Sequence, residues 1–388
     1  MSIVILGDNF TFPEGNAATN RVYTYARGFI ENNINTTVIN FRNDYMENGN
    51  GTIEDIQYFH PINRKKRNKY FVIRNWFKFV KYLNTVIIIR KINRENKVKA
   101  IIVYTKTLST HLFSYFLAKL IGAKLIIENS EHPLRDYQSG NINKLIGRLK
   151  FWIKLKTFDG ILLITKQLIK FYNTKLHNEK KILLVPSTVD PKRFTAEKSN
   201  TLPYKYIGYF GSLNFERDNV DLILSAFASI CDRQKNIDLV LGGWLEVDKD
   251  VLTDLIKSLK IESRVHILGY ISRLEITQYI IDSQILVLVR SNDKYTEVSF
   301  PSKLTEYLAT GNPVIATAVS EIAEFISDHK NGFLIRPGST EELAEKMEYI
   351  INNYERATEI AKNGKKLTDT VFNNVFQAKQ IIKFIETL

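Results

Sequence analysis

An α/β chain of two doubly wound, Rossmann-like parallel-sheet domains is what this sequence predicts, and three observations predict it. Short β-branched runs alternate with amphipathic stretches through most of the 388 residues, which is the rhythm of a parallel sheet covered by helices. A polar stretch with two prolines breaks the rhythm after residue 186, and the rhythm then restarts. Glycines recur where the strands of the second half end, as they do where a backbone turns tightly or approaches a ligand closely.

The first half opens on "SIVILG" (2–7), a helix over about 17–32 and the strand "TTVINF" (36–41). "AIIVYT" (100–105), a helix at 108–121, "KLIIEN" (124–129), "GILLIT" (160–165) and "KILLVP" (181–186) continue it. "STVDPKRFTAEKSNTLP" is the interdomain linker. The second half runs "KYIGYFG" (205–211), a helix at 219–231, "IDLVLGG" (237–243), a helix at 250–260, "VHILGY" (265–270), a helix at 272–281, "ILVLVR" (285–290), a helix opening near Pro301, and "PVIAT" (313–317). The domains are therefore expected at 1–185 and 204–370, with the linker at 186–203 and a helix at 371–388 packing back on the first domain.

Composition narrows the function classes. A hydrophobic content of 44% is globular, and the one cysteine, Cys231, excludes an internal disulfide framework. No apolar run approaches the roughly 18 residues that span a bilayer, and "MSIVILGDNF" lacks the basic start of a signal peptide, so the expected location is cytoplasmic. The net charge of +13 is uneven: residues 1–200 hold 33 Lys and Arg against 15 Asp and Glu, while residues 201–388 hold 21 against 26. Between 61 and 160 the ratio is 22 to 5. Two segments there, 63–83 and 143–158, interleave cations with Trp76, Phe77, Phe79, Phe151 and Trp152, and the first begins with Arg64, Lys65, Lys66 and Arg67. Such a pattern fits a solvated basic face over a core stripe, an amphipathic helix on an anionic membrane, or a nucleic-acid surface.

Ligands of open α/β sheets bind beyond the carboxyl ends of the strands, which for two such domains in tandem is the cleft between them. "FPSKLTEYLATGNPVIAT" (300–317) puts Ser302, Lys303 and Glu306 at a helix start, where free N–H groups and the dipole attract an anion. A phosphate there, with the Glu306 carboxylate accepting from a sugar diol one turn on, makes a nucleotide site; ordinary capping is the other reading. "YFGSLNFERDN" (209–219) supplies Gly211, Ser212 and Arg217, and "LGGW" and "LGY" supply Gly243 and Tyr270.

The order "GYFGSL", "LVLGG", "VHILGYIS", "ILVLVRS", "SFPSKLTEYLATGNPVIAT" resembles the donor domain of retaining sugar-nucleotide glycosyltransferases of family four, which have the GT-B fold of two Rossmann-like domains facing a cleft. The loop and helix at 12–29, with Gly15, resemble that family's first loop. The resemblance implies that Ser302, Lys303 and Leu304 bind the diphosphate through backbone N–H groups and that Glu306 takes the ribose hydroxyls. It also implies a cleft-edge histidine at the donor sugar, for which "IIENSEHPLRDY" offers His132 beside Glu131. The chain departs from the pattern in two places. Many members carry two glutamates eight positions apart, but here Val298 stands eight before Glu306, with Glu297 next to it. Ser212 stands where many have an arginine, so the diphosphate clamp rests on Arg217 and Lys303.

The expected activity is transfer of a sugar from a nucleoside diphosphate to a lipid-linked or growing glycan at the inner membrane face, without cofactor or metal. "DKD", with Asp248 and Asp250, has a metal-binding form but stands where aspartates cap helices. An epimerase-like enzyme of the same fold and a basic nucleic-acid-binding protein are the alternatives; the preferred reading has no nucleic-acid partner.

Overall fold

The computed structural model describes residues 1–42, 49–62, 69–133, 141–176, 181–293 and 296–388. The basic quartet at 64–67 lies outside them. The chain divides into two compact units, Met1–Thr188 with Asn374–Leu388, and Val189–Asn373.

The first unit is built on strands β1 (Ser2–Gly7), β2 (Asn35–Asn40), β3 (Asn50–Ile53), β4 (Ile56–Phe59), β5 (Val98–Tyr104), β6 (Lys124–Asn129), β7 (Gly160–Leu163) and β8 (Lys181–Leu184). They pair in the order β3-β4-β2-β1-β5-β6-β7-β8, and only β3 is antiparallel to its neighbour. β1, β5 and β7 are almost wholly buried on both faces, as strands between helical layers must be. Helix Asn374–Glu386 belongs to this unit: Ala378, Ile381, Phe384 and Ile385 join Val22, Ala26 and Phe29 of helix Ala17–Glu31 in its core. A buried ion pair fixes helix Ala17–Glu31 to the sheet. Arg21 Nε meets Glu128 Oε1 at 2.6 Å, the Tyr25 hydroxyl donates to Glu128 Oε2 at 3.0 Å, and the rest of the guanidinium donates to the Val185 and Pro186 carbonyls. With every acceptor matched by a donor, the pair survives burial; breaking one side costs about 3–5 kcal/mol.

The second unit has strands β9 (Tyr206–Phe210), β10 (Asp238–Gly242), β11 (Val265–Gly269), β12 (Ile285–Leu288), β13 (Val314–Thr317) and β14 (Phe333–Ile335), all parallel, in the order β11-β10-β9-β12-β13-β14. The sequence runs outward from β9 on one side and then returns to its other side at β12. A crevice therefore opens at the carboxyl ends of β9 and β12, the switch point where such sheets hold ligands. The polar stretch after residue 188 is folded onto this unit: Val189, Asp190 and Phe194 are buried, and Asp190 caps the short 3₁₀ helix Pro191–Phe194.

Candidate functional site

Helix Ser302–Thr310 starts beside that crevice. Its N-cap is Pro301, which offers no side-chain acceptor to the first turn, and Gly311 ends it in the left-handed conformation. The Leu304 N–H donates to the Pro301 carbonyl at 3.2 Å and the Leu304 side chain is buried, so the open end of the helix belongs to Ser302 and Lys303. Tyr307, one turn on, fixes the helix against β9: its hydroxyl accepts from the Phe210 N–H at 2.8 Å and donates to the Phe210 carbonyl at 3.2 Å.

Lys303 reaches back over the sheet. Its Nζ donates to the Tyr209 hydroxyl at 2.8 Å and to Asp218 Oδ1 at 3.0 Å. Since the Tyr209 hydroxyl donates its proton to the Ser212 carbonyl, it is free to accept from the lysine. Arg217 closes the other side of the carboxylate, with Nε 2.9 Å from Asp218 Oδ2, and reaches Glu246 at 3.7 Å. Arg290, buried just past the end of β12, donates to Ser299 Oγ at 3.1 Å and lies within electrostatic reach of Asp218, Arg217 and Lys303. Burial alone would raise the Asp218 carboxyl, but Lys303 and Arg217 outweigh it and hold it below its ordinary value. Burial pulls Lys303 and Arg290 below theirs. Three cations thus share one buried carboxylate, and an incoming anion would relieve them.

The loop after β9 is held by its own turn chemistry. Asn214 Oδ1 accepts from the Glu216 and Arg217 N–H groups, and the Ser291 N–H donates to the Arg217 carbonyl, which ties the ends of β9 and β12 together. Gly211 and Gly243 let the strand ends stack: the Gly211 N–H donates to the Gly242 carbonyl, and a Cβ on Gly243 would stand 1.8 Å from the Gly211 oxygen. Tyr270 is exposed and packs against Trp244, ring centroids 5.0 Å apart.

Glu306 lies on the same helix, 3.4 Å from Arg193 Nη1, and Arg193 also donates to the Arg273 carbonyl and to Thr277 Oγ1. Glu297 is exposed and Val298 half-buried. Asp248 is the N-cap of helix Lys249–Ser258 and accepts from the Asp250 N–H at 2.8 Å. Among the described residues no group of three or more His, Cys, Asp or Glu side chains is placed to hold a metal ion.

The remaining expected residues lie in the first unit. Gly15 precedes helix Ala17–Glu31 and abuts Thr11 and Thr19. Glu131 and His132 follow β6: Glu131 pairs with Lys106 at 2.8 Å, and His132 packs on Phe171, where burial lowers its pKa. At this unit's own switch point, between β1 and β5, Asp8 accepts from the hydroxyls of Thr105, Thr107 and Thr110. Sequence reasoning passed over Asp218, Arg290 and Arg193. The one signal available for Arg290 was a cation directly ending an apolar strand.

Fold and site together define a two-unit α/β protein with a cluster of cations around one buried carboxylate at the switch point of its second unit. Residues 192–367 match the model of the family "Glycosyl transferases group 1", and the chain has the GT-B fold. The chain is 24% identical over 288 residues to N-acetyl-alpha-D-glucosaminyl L-malate synthase of Bacillus anthracis, covering 72% of this chain and 71% of that protein. Against the first curated relatives it matches, the chain spans only 37% to 43% of their length. Among solved structures, sucrose-phosphate synthase of Thermosynechococcus elongatus superposes with a TM-score of 0.73 at 14% identity, covering 100% of this chain and 98% of that one. Anabaena HepE in complex with UDP-glucose superposes with a TM-score of 0.67 at 15% identity, over 100% of both chains.

Proposed function

We propose that the protein is a retaining glycosyltransferase. It takes a sugar from a nucleoside diphosphate sugar and gives it to a hydroxyl of a lipid-linked or growing glycan, in polysaccharide or glycolipid synthesis at the inner face of the cell membrane. The observation that carries this reading is the gathering of Arg217, Arg290 and Lys303 around Asp218 beside the uncapped start of helix Ser302–Thr310. In the reaction the bond from the anomeric carbon to the phosphate oxygen breaks, the bond to the acceptor oxygen forms on the same face, and the acceptor proton leaves with the phosphate. What the protein must supply is stabilisation of charge growing on that phosphate, and fixed cations with a helix N-terminus do so without a metal.

In this reading the N–H groups of Ser302 and Lys303 and the side chains of Arg217, Arg290 and Lys303 take the diphosphate. Glu306 exchanges its partner Arg193 for the ribose hydroxyls, Gly211 and Gly243 admit the nucleotide to the backbone, and Tyr270 flanks it. Glu131 and His132 serve the sugar and acceptor. The HepE complexes with UDP and with UDP-glucose support a nucleotide sugar as donor. The basic excess of residues 61–160 supports an acceptor at an anionic membrane and not a soluble one.

Nucleoside diphosphates titrated into Arg217→Ala, Lys303→Ala and Glu306→Ala test the site. Loss of either cation should weaken binding by about 1.5–3 kcal/mol, roughly tenfold to a hundredfold, with the fold retained. Unchanged affinity in all three would place the site elsewhere. Turnover is expected to survive a chelator; loss restored by Mg²⁺ would turn attention to Asp248 and Asp250.

A further inference from the structure

Helix Asn141–Lys156 is inside out. At 100° per residue, Ile142, Leu145, Ile146, Leu149 and Trp152 fall within an arc of about 120°, the width of a core-facing stripe. All five are exposed, Leu145 at 68% and Trp152 at 52%. Its inward side carries instead Gly147, Phe151 against Phe171, and Lys154, whose Nζ donates to the Lys106 carbonyl at 3.0 Å.

Helix Phe71–Glu95 shows a second anomaly. Its 25 residues make about 37 Å, whereas the seven-residue β5 that follows makes about 23 Å, so the helix overhangs the carboxyl rim of the sheet by about 14 Å. None of the residues from Phe71 to Val80 is buried, although Phe71, Val72, Ile73, Trp76 and Phe79 lie among them; the buried residues of the helix are Thr85 and Ile89. Helix Leu108–Ile121 packs against both and adds exposed Phe116 and Leu120, one turn apart. Both anomalous helices follow strands at the carboxyl rim, so their apolar starts flank the end of the sheet where Asp8 and Thr105 meet.

We propose that this three-helix surface is the face by which the first unit seats itself in an anionic lipid leaflet, the outward stripe of helix Asn141–Lys156 and the overhanging start of helix Phe71–Glu95 entering the interface. It specifies the surface behind the membrane placement proposed above and rests on that placement. Charge selects the occupant. Lys69, Arg74, Lys78, Lys144, Arg148 and Lys156 surround the apolar residues. A second copy docked there would press like charges together, whereas acidic headgroups complement them.

The test uses the full chain and vesicles of phosphatidylcholine with or without acidic phosphatidylglycerol. With Trp76 and Trp244 changed to Phe, Trp152 is the one tryptophan and is excited selectively at the red edge of the absorption band; on acidic vesicles its emission should shift to the blue, be quenched by brominated acyl chains, and recover with salt. Leu145→Ser with Leu149→Ser, two exposed positions that leave the core intact, should bind acidic vesicles at least tenfold more weakly. Binding by that double variant equal to wild type overturns this face while leaving the membrane placement standing. Failure of the wild type to bind overturns both, and self-association abolished by the double variant, without vesicle binding, gives the face to a second copy. Nucleoside diphosphate titration of the same proteins reports separately on the transfer reading.

Discussion

His111 carries its proton on Nε2, because the Thr157 hydroxyl it meets at 2.7 Å already donates to the Ile153 carbonyl. Burial, with Lys154 adding to it, pulls the imidazole down to about 4, so it is neutral in the fold. The unfolded chain takes up the proton first, near pH 6.5; stability is therefore full above that pH and drains away as the pH falls toward 4, by about 3 kcal/mol at the end. His111→Gln keeps a donor without the titration, and its urea midpoint should fall less than the wild type's between pH 7 and pH 4.5. At this scale the sequence is only partly legible. Lys303 and Arg217 are readable because each stands at a strand or helix end, where local rules apply. Asp218 and Arg290 read as ordinary surface charges, since their burial is created by segments about 70 to 85 residues apart meeting at one rim.

Strands announce themselves more clearly than charges do. "SIVILG" and "ILVLVR" are buried on both faces, and each reads as a short β-branched run bounded by polar or glycine residues. The hairpin β3–β4 went unread because "NGTI" is polar or glycine at three of its four positions and "IQYF" is only four residues long, too short for a two-residue period to stand out. Nor does periodicity tell which way a stripe faces: the apolar side of helix Asn141–Lys156 fits a core stripe as well as an interfacial one, and it lies outside. The joint between β9 and β10 gives the clearest substitution at this scale. At Gly243, φ is +137° and a Cβ would strike the Gly211 carbonyl oxygen, so Gly243→Ala should cost more than about 2 kcal/mol and weaken nucleoside diphosphate binding with it. Gly338→Ala is the control. Its φ is +76° but nothing lies within 4 Å, so only the strain of about 1–2 kcal/mol should appear in chemical denaturation.

The second unit is threaded into the sequence of the first: the chain leaves the first unit at Thr188 and re-enters it at Asn374. Where it does so, Val189 and Asn373 form a bridge, and the Val189 N–H donates to the Phe372 carbonyl at 2.9 Å. Ending the chain at Asn373 removes Ala378, Ile381, Phe384 and Ile385 from the first core, about 5 kcal/mol or more and comparable to a domain's whole margin. Calorimetry of that truncation should show one transition, from the second unit, in place of the full chain's signal; two undiminished transitions would mean the helix is dispensable. The same threading sets a timetable for the newborn chain. At about 5–20 residues per second, the ribosome spends about 10–40 s on Val189–Asn373 before helix Asn374–Glu386 exists. Through that interval Val22, Ala26 and Phe29 wait without their last partners while the second unit is free to fold, so the first half of the nascent polypeptide is the part that chaperones must shield.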